Sequence, residues 1–336
     1  MRAVGLLLLA LTAAASMLAA EETYVIRLTR PRQVGDRYRL DANGVNRERT
    51  RVTVGGRTTK NEETEVSVHL VAVATVLAVD AKSVATRIEY RVESCRRTSA
   101  GKTDEVLPAG RKIIAETVNG KSTFTADGAQ PWTGDTREAL NVVITPHEPG
   151  SATEDEIFGT AGRKRVGDKW GINAATAALD FSKRGIPVSA TGIRGSVQLD
   201  RVRTLGAMKA LEISARLRVE GMKIPAPEGM ALEKAVMEAD FTDLVPADPQ
   251  SRSLLPDKLR FQMNALMSGQ KPDTGEKIAF EFSMERSLEN SYPPIQEDSK
   301  SQSSPNQLPQ ARDFGNRLSG MPLALNGFAT TTGGWR

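Results

Sequence analysis

The sequence predicts a mainly β protein: one or more curled antiparallel sheets in two halves that read as a repeat, with a few short helices and a disordered C-terminal tail. Three observations predict it. Apolar residues alternate with polar ones at a period of two along most of the chain. The alternating runs are joined by tight-turn dipeptides. A short motif, VGDRYRL at residues 34–40, returns as VGDKWGI at 166–172.

In chain order, residues 1–20 come first, with Arg2 ahead of an apolar run that ends in Ala19-Ala20 before Glu21-Glu22. This is the layout of a cleavable secretory signal peptide, so the protein is expected to be exported to the periplasm or beyond. No later stretch is apolar for long enough to span a bilayer. Residues 21–289 read as the β-rich body, with halves at 24–150 and 158–289. Strands are expected where Tyr24, Ile26 and Leu28 alternate with polar residues, and again at Val66, Val68 and Leu70, at Ile88, Tyr90 and Val92, at Leu259, Phe261 and Met263, and at Ile278, Phe280, Phe282 and Met284. Asn119-Gly120 is the strongest hairpin signal; Gly55-Gly56 and Asp127-Gly128 are weaker ones. Three short helices fit the remaining punctuation: 136–143 starting on the Thr136 hydroxyl, a capping box at 153–156 ending at Gly159, and 174–183 capped by Asn173 and stopped by Gly185 and Pro187. In the repeated motif Gly-Asp makes a turn that launches a strand, with Tyr38 or Trp170 facing inward. Residues 290–336, rich in Pro, Ser, Gln and Asn, cannot bury enough surface to offset their ordering entropy and form the predicted tail.

Composition removes several classes of chemistry. The chain has two histidines and one cysteine, and a formal net charge of +4 that includes Arg2 of the leader. That balance argues against a nucleic-acid partner. Gly120-Lys121-Ser122 and Gly101-Lys102-Thr103 end like a phosphate-binding loop. The glycine that must stand five residues earlier is replaced by Ala115 and Arg96, so no nucleotide is expected. His69 and His147 have no second histidine at ligand spacing, and no metal or other cofactor is implied. His147 lies in a proline-bracketed loop and is the better of two weak catalytic candidates; His69 belongs on a solvent-facing strand surface beside Glu63 and Glu65. Glu154, Asp155 and Glu156 are the densest acidic cluster, which a helix dipole explains more simply than catalysis does. Cys95, in IEYRVESCRR, reads as a partly buried strand thiol, with pairing to a second chain as the alternative; it is too far from the leader to carry a lipid, so the protein is not expected to be a lipoprotein.

The most patterned charge is Arg47, Arg49 and Arg51, which on a strand share one face while Glu48 and Thr50 take the other. Such a stripe can grip anionic head groups, sugars or acidic polymers. The blander reading is a solvated face that guards a sheet edge. Trp170 is the fourth candidate ligand-binding residue, lining or supporting a concave face. Met263, Met267 and Met284 either line an adaptable groove or fill the core.

The run TEDEIFGTAGRKRVGDKWGIN, GDRYRL before the first strands, and FTDLVPADP before the last pair carry a resemblance. Over residues 24–288 the chain resembles a family of bacterial exported proteins of uncharacterised function, marked by a VGD-aromatic turn after an acidic loop containing Phe-Gly. That family is similar in outline to half-barrel lipid and lipoprotein carriers. The resemblance implies a sheet wrapped around an apolar concavity and supplies no catalytic residues. The expected function is therefore non-enzymatic: an exported protein that binds an apolar or amphiphilic ligand, a lipid, or an envelope protein partner. The alternatives are a hydrolase of envelope polymers using carboxylates and His147, and a purely structural envelope component.

Overall fold

The computed structural model describes residues 22–126, 130–227, 229–271 and 274–295. Twelve strands form one open antiparallel sheet. They are β1 (Arg37–Val54), β2 (Arg57–Val79), β3 (Ala85–Ser99), β4 (Lys102–Leu107), β5 (Lys112–Val118), β6 (Lys121–Thr125), β7 (Lys169–Gly171), β8 (Ile193–Leu205), β9 (Met208–Glu220), β10 (Met230–Pro246), β11 (Asp257–Gln270) and β12 (Lys277–Ser291). Their order across the sheet is β6-β5-β3-β2-β1-β12-β11-β10-β9-β8-β7, with β4 beside β3. Each half is thus a meander of local hairpins, and the halves join where the first strand pairs with the last, from Asp41 opposite Ser291 to Val54 opposite Ile278.

The turn chemistry does what the sequence suggests. Gly55 and Gly56 join β1 to β2 at φ of 56° and 81°, and Asn119 and Gly120 join β5 to β6 at 52° and 73°. Both have the paired positive φ values that match the twist of a hairpin. The two fragments that end like a phosphate-binding loop are therefore hairpin turns. Asp127-Gly128 lies outside the described residues, as do residues 1–21, where a signal peptide is expected, and residues 296–336.

The repeated motif is structural. In the first copy Gln33 N–H donates to the Asp36 carboxylate (2.6 Å). Gly35 N–H donates to Val76 O and Val76 N–H to Asp36 O, both at 2.9 Å. In the second copy Arg165 N–H donates to Asp168 (2.8 Å), Gly167 N–H to Leu199 O (2.7 Å) and Leu199 N–H to Asp168 O (3.1 Å). Each turn clamps a short loop onto the strand one hairpin further on, and in each the glycine sits near φ +90°. Only glycine adopts that angle cheaply, and the aspartate supplies the side-chain acceptor.

Two predicted boundaries move. The Tyr24, Ile26, Leu28 run is extended and buried on alternate residues but does not join the sheet. Tyr24 makes one bridge to Lys164, and Leu28 and Thr29 donate their N–H groups to the Asp155 carboxylate at 2.7 and 3.2 Å. A side chain thus replaces the missing ladder, and alternation alone cannot distinguish the two. At the other end the body passes residue 289: Asn290 and Ser291 belong to β12, and the Tyr292 ring packs edge-on against Tyr38 at 6.0 Å.

The inner face of the sheet carries the core, and three helices lie on its side: α1 (Gly134–Val143), α2 (Glu154–Phe158) and α3 (Ala174–Lys183). The α2 capping box and the Asn173 cap of α3 form as expected. Helix α1 begins at Gly134 rather than Thr136, and no side chain caps it. It crosses the strands along the row Arg97, Val68, Gly44, Leu288. At its start Asp135 pairs with Arg97 at 2.8 Å. At its end it rests on Gly44, where a Cβ would stand 2.6 Å from Val142 O and 2.7 Å from Val142 Cγ1.

Gly44 therefore sets how closely α1 approaches the sheet. Gly44→Val is expected to lower stability by at least about 1–3 kcal/mol, the cost of overpacking a filled core. The control Gly171→Ala, whose new Cβ meets nothing within 4 Å, should stay close to the wild type. Urea midpoints of the three proteins check this; equal midpoints for Gly44→Val and wild type would show that α1 does not bear on β1.

Candidate functional site

Of the predicted ligand residues, the arginine stripe lies on the outer face of β1. That strand is central, between β2 and β12, so the expected role of guarding an edge does not apply to the folded sheet. Arg47 is enclosed by carboxylates: its guanidinium bonds Glu65, with Nε at 2.9 Å, and stands 3.5 Å from Glu285 and 3.8 Å from Glu63. Arg49 meets an amide instead, Asn61 Oδ1 at 3.4 Å. Arg51 reaches the Thr58 hydroxyl at 3.2 Å and stands 4.0 Å from Glu281.

Arg49 and Arg51 line an outer-face groove of about 570 Å³. Strand register builds it in two rows. One row is Arg49, Ser283, Asn264 and Val236; the next is Arg51, Glu281, Leu266 and Lys234. Arg218, paired with Glu238 and with Glu220 at 2.7 Å, closes the far side. The residues from β9 to β12 were not legible as partners of the stripe, because that requires knowing that the first and last strands pair. Lys234 alternates in phase with Val236 and Glu238 and so stands on the outer face beside Leu266; the register shifts only before it, between Leu232 and Lys234.

Trp170 does not join this groove. It sits in the edge strand β7, where its indole N–H donates to Phe158 O at 2.7 Å and the Lys164 ammonium stands 5.4 Å from the ring centroid. It braces the end of α2.

The inner face changes character past α1. On β1 the inward residues become polar: Asn46, Glu48 and Thr50. Opposite them on β12, β11 and β10 they stay apolar, with Phe282, Met284, Ala265, Met263, Met267 and Met237 all buried. At the boundary Arg286, buried, donates to Asn141 O (2.6 Å), Val142 O (2.9 Å) and Thr145 Oγ1 (3.3 Å). A guanidinium at the end of α1 meets the negative end of the helix dipole and satisfies its last carbonyls. Burial pulls its pKa down to about 10, so it stays charged at neutral pH. Its register partner Asn46 gives its amide N–H to Glu48 at 2.8 Å. The Asn46 Oδ1 and the Arg286 Nε, both buried, have no hydrogen-bond partner among the described residues.

The weaker catalytic candidates serve the fold. Asp155 holds the 27–30 segment, and Glu156 closes the capping box and bonds Lys82. His69 is on the outer face, 3.0 Å from Asp41. Cys95 is fully buried beside Leu107 in register, and burial pushes its thiol up to about 12, which makes it a poor nucleophile. Among the described residues no group of three or more His, Cys, Asp or Glu could hold a metal ion, and no helix is long and apolar enough to cross a membrane.

His147 lies on the expected loop and is buried there, with Nε2 3.3 Å from Asp80 Oδ2. Burial lowers its pKa below the ordinary 6.5, against the opposing pull of Asp80. A histidine whose folded pKa lies below its unfolded one gives stability that is complete above 6.5 and is lost as pH falls through 6.5 towards the folded value. The urea midpoint is expected to drop on acidification through that window, and less so in His147→Gln. Parallel pH profiles for the two proteins would remove His147 as the cause.

No family model matches the chain, and no curated protein matches it. Among solved structures it is similar to one described as lipid-protein interactions in lipovitellin, with 7% identity, 85% of this chain and 27% of that chain covered, and a TM-score of 0.29. The chain therefore spans about a quarter of that protein's length, and a likeness at this score carries no argument about function.

Proposed function

We propose that the chain is an exported, non-enzymatic binding protein that holds an amphiphilic ligand against the inner face of its sheet. The observation that carries this reading is the divided inner wall past α1. Methionine and phenylalanine side chains of β10–β12 lie beside the polar side chains of β1 on one face, and Asn46 Oδ1 and Arg286 Nε, unpartnered among the described residues, lie at their boundary. An acyl chain suits the first surface, since methionine side chains repack around irregular apolar shapes. A hydroxyl suits the second: it can donate to Asn46 and accept from Arg286, and buried polar atoms ordinarily have such partners.

The commitment of Asp155, Glu156 and His147 to structural contacts supports a binding role over hydrolysis. The signal-peptide pattern of residues 1–20 supports the export part of the reading.

Native mass spectrometry of protein purified gently from its own cell envelope tests the reading. A defined extra mass that passes into organic solvent as a lipid is expected. A clean apoprotein mass, together with no uptake of a fluorescent fatty acid by the purified protein, would overturn it and leave a structural role.

A further inference from the structure

The geometry points to a second binding site on the opposite face of the sheet: the outer groove takes a small ligand with one phosphate or carboxylate group and neighbouring hydroxyls. Four cations line the groove, but they are not equivalent. Arg218 is neutralised by Glu238 and Glu220, and Arg51 has Glu281 at 4.0 Å. Arg49 and Lys234 have no carboxylate within 4.0 Å among the described residues; the contact Arg49 makes is a long one to the Asn61 amide. Several other arginines on this face are paired, Arg47 with Glu65, Arg216 with Asp240, Arg201 with Glu212 and Arg260 with Glu285, whereas Arg91, Arg96 and Arg194 have no ion pair among the described residues but do not line the groove. The two unpaired cations stand on opposite sides of the groove, three strands apart.

Between them the floor is polar and unoccupied by protein contacts. Ser283 and Asn264, paired in register, present a hydroxyl and a carboxamide that no described side chain bonds. Val236 is buried and Leu266 half-buried in the same floor, a small apolar shelf. A guanidinium fork and an ammonium suit one anionic group. The serine and asparagine suit hydroxyls beside it. Phe282 also lines the groove but turns its buried ring to the inner face and offers no surface for an uncharged sugar to stack on, so charge must carry the affinity. The acids Glu238 and Glu281 at the rim repel a long polyanion and leave room for a single charge. This site is independent of the amphiphile proposed for the inner face, since alternate residues of the same strands build the two surfaces.

Isothermal titration of the full chain with glycerol 3-phosphate and with glucuronate, and flotation with phosphatidylglycerol against phosphatidylcholine vesicles, tests it. A Kd of about 1 mM or tighter is expected for at least one anionic probe, weakening with salt. Arg49→Gln and Lys234→Gln should each weaken it by about tenfold or more, and Arg47→Gln, whose guanidinium is already occupied, by less than about twofold. Binding of the soluble probes supports a free ligand as the source; binding of phosphatidylglycerol vesicles alone, lost in Arg49→Gln, supports a lipid head group at the same site. No binding to any probe, or an equal loss in Arg47→Gln, overturns the proposal. Neither result bears on lipid extracted from the interior.

Discussion

The pairing of β1 with β12 is the constraint on which the rest of the structure depends. All other neighbouring strands in the sheet are close in sequence, so their closure costs little entropy; this pair spans nearly the whole described chain. It puts Gly44 beside Leu288 and Asn46 beside Arg286 on one face, and Arg49 beside Ser283 on the other. Slipping the register by a single residue would exchange these sets, because successive side chains point to opposite faces. The seat of α1, the divided inner wall and the outer groove are thus three consequences of one alignment.

The remaining architecture follows from where the sheet stays open. The chain between β6 and β7 does not continue as a hairpin; it leaves one edge, carries α1 and α2 across the inner face, and returns at the other edge. Helix α1 is held there by an ion pair at its start, a close backbone approach at its end and a buried guanidinium on its last carbonyls. The segment at 22–36 ties the opposite end, with Asp155 holding Leu28 and Thr29, and Arg30 donating to Pro246 O at 2.6 Å and Asp248 O at 2.9 Å.

Much of this was legible in the sequence because it is local. Alternation found β2, β3, β11 and β12; Asn119-Gly120 and Gly55-Gly56 found their turns; Thr153 and Glu156 found their box. What escaped is non-local. The strap at Tyr24 to Leu28 has a strand's pattern and a carboxylate for its partner. Lys234 shares a groove with Arg49 only because β10 and β1 are brought onto one sheet through β11 and β12. Arg286 continues the inward series of Phe280, Phe282 and Met284, so its direction could be read, but its purpose depends on a helix more than 140 residues earlier. The arginine stripe was found as a stripe, and its neighbours across the seam were not.

That seam also has a history within each molecule. Synthesis is vectorial, and β1 is complete long before β12 exists. In the interval β1 carries β2 on one side and a bare row of backbone donors and acceptors on the other, the arrangement through which unfinished chains pair with one another. Arg47, Arg49 and Arg51 stand along that bare row. The last strand closes that row, and its Glu285 and Glu281 then stand 3.5 Å from Arg47 and 4.0 Å from Arg51.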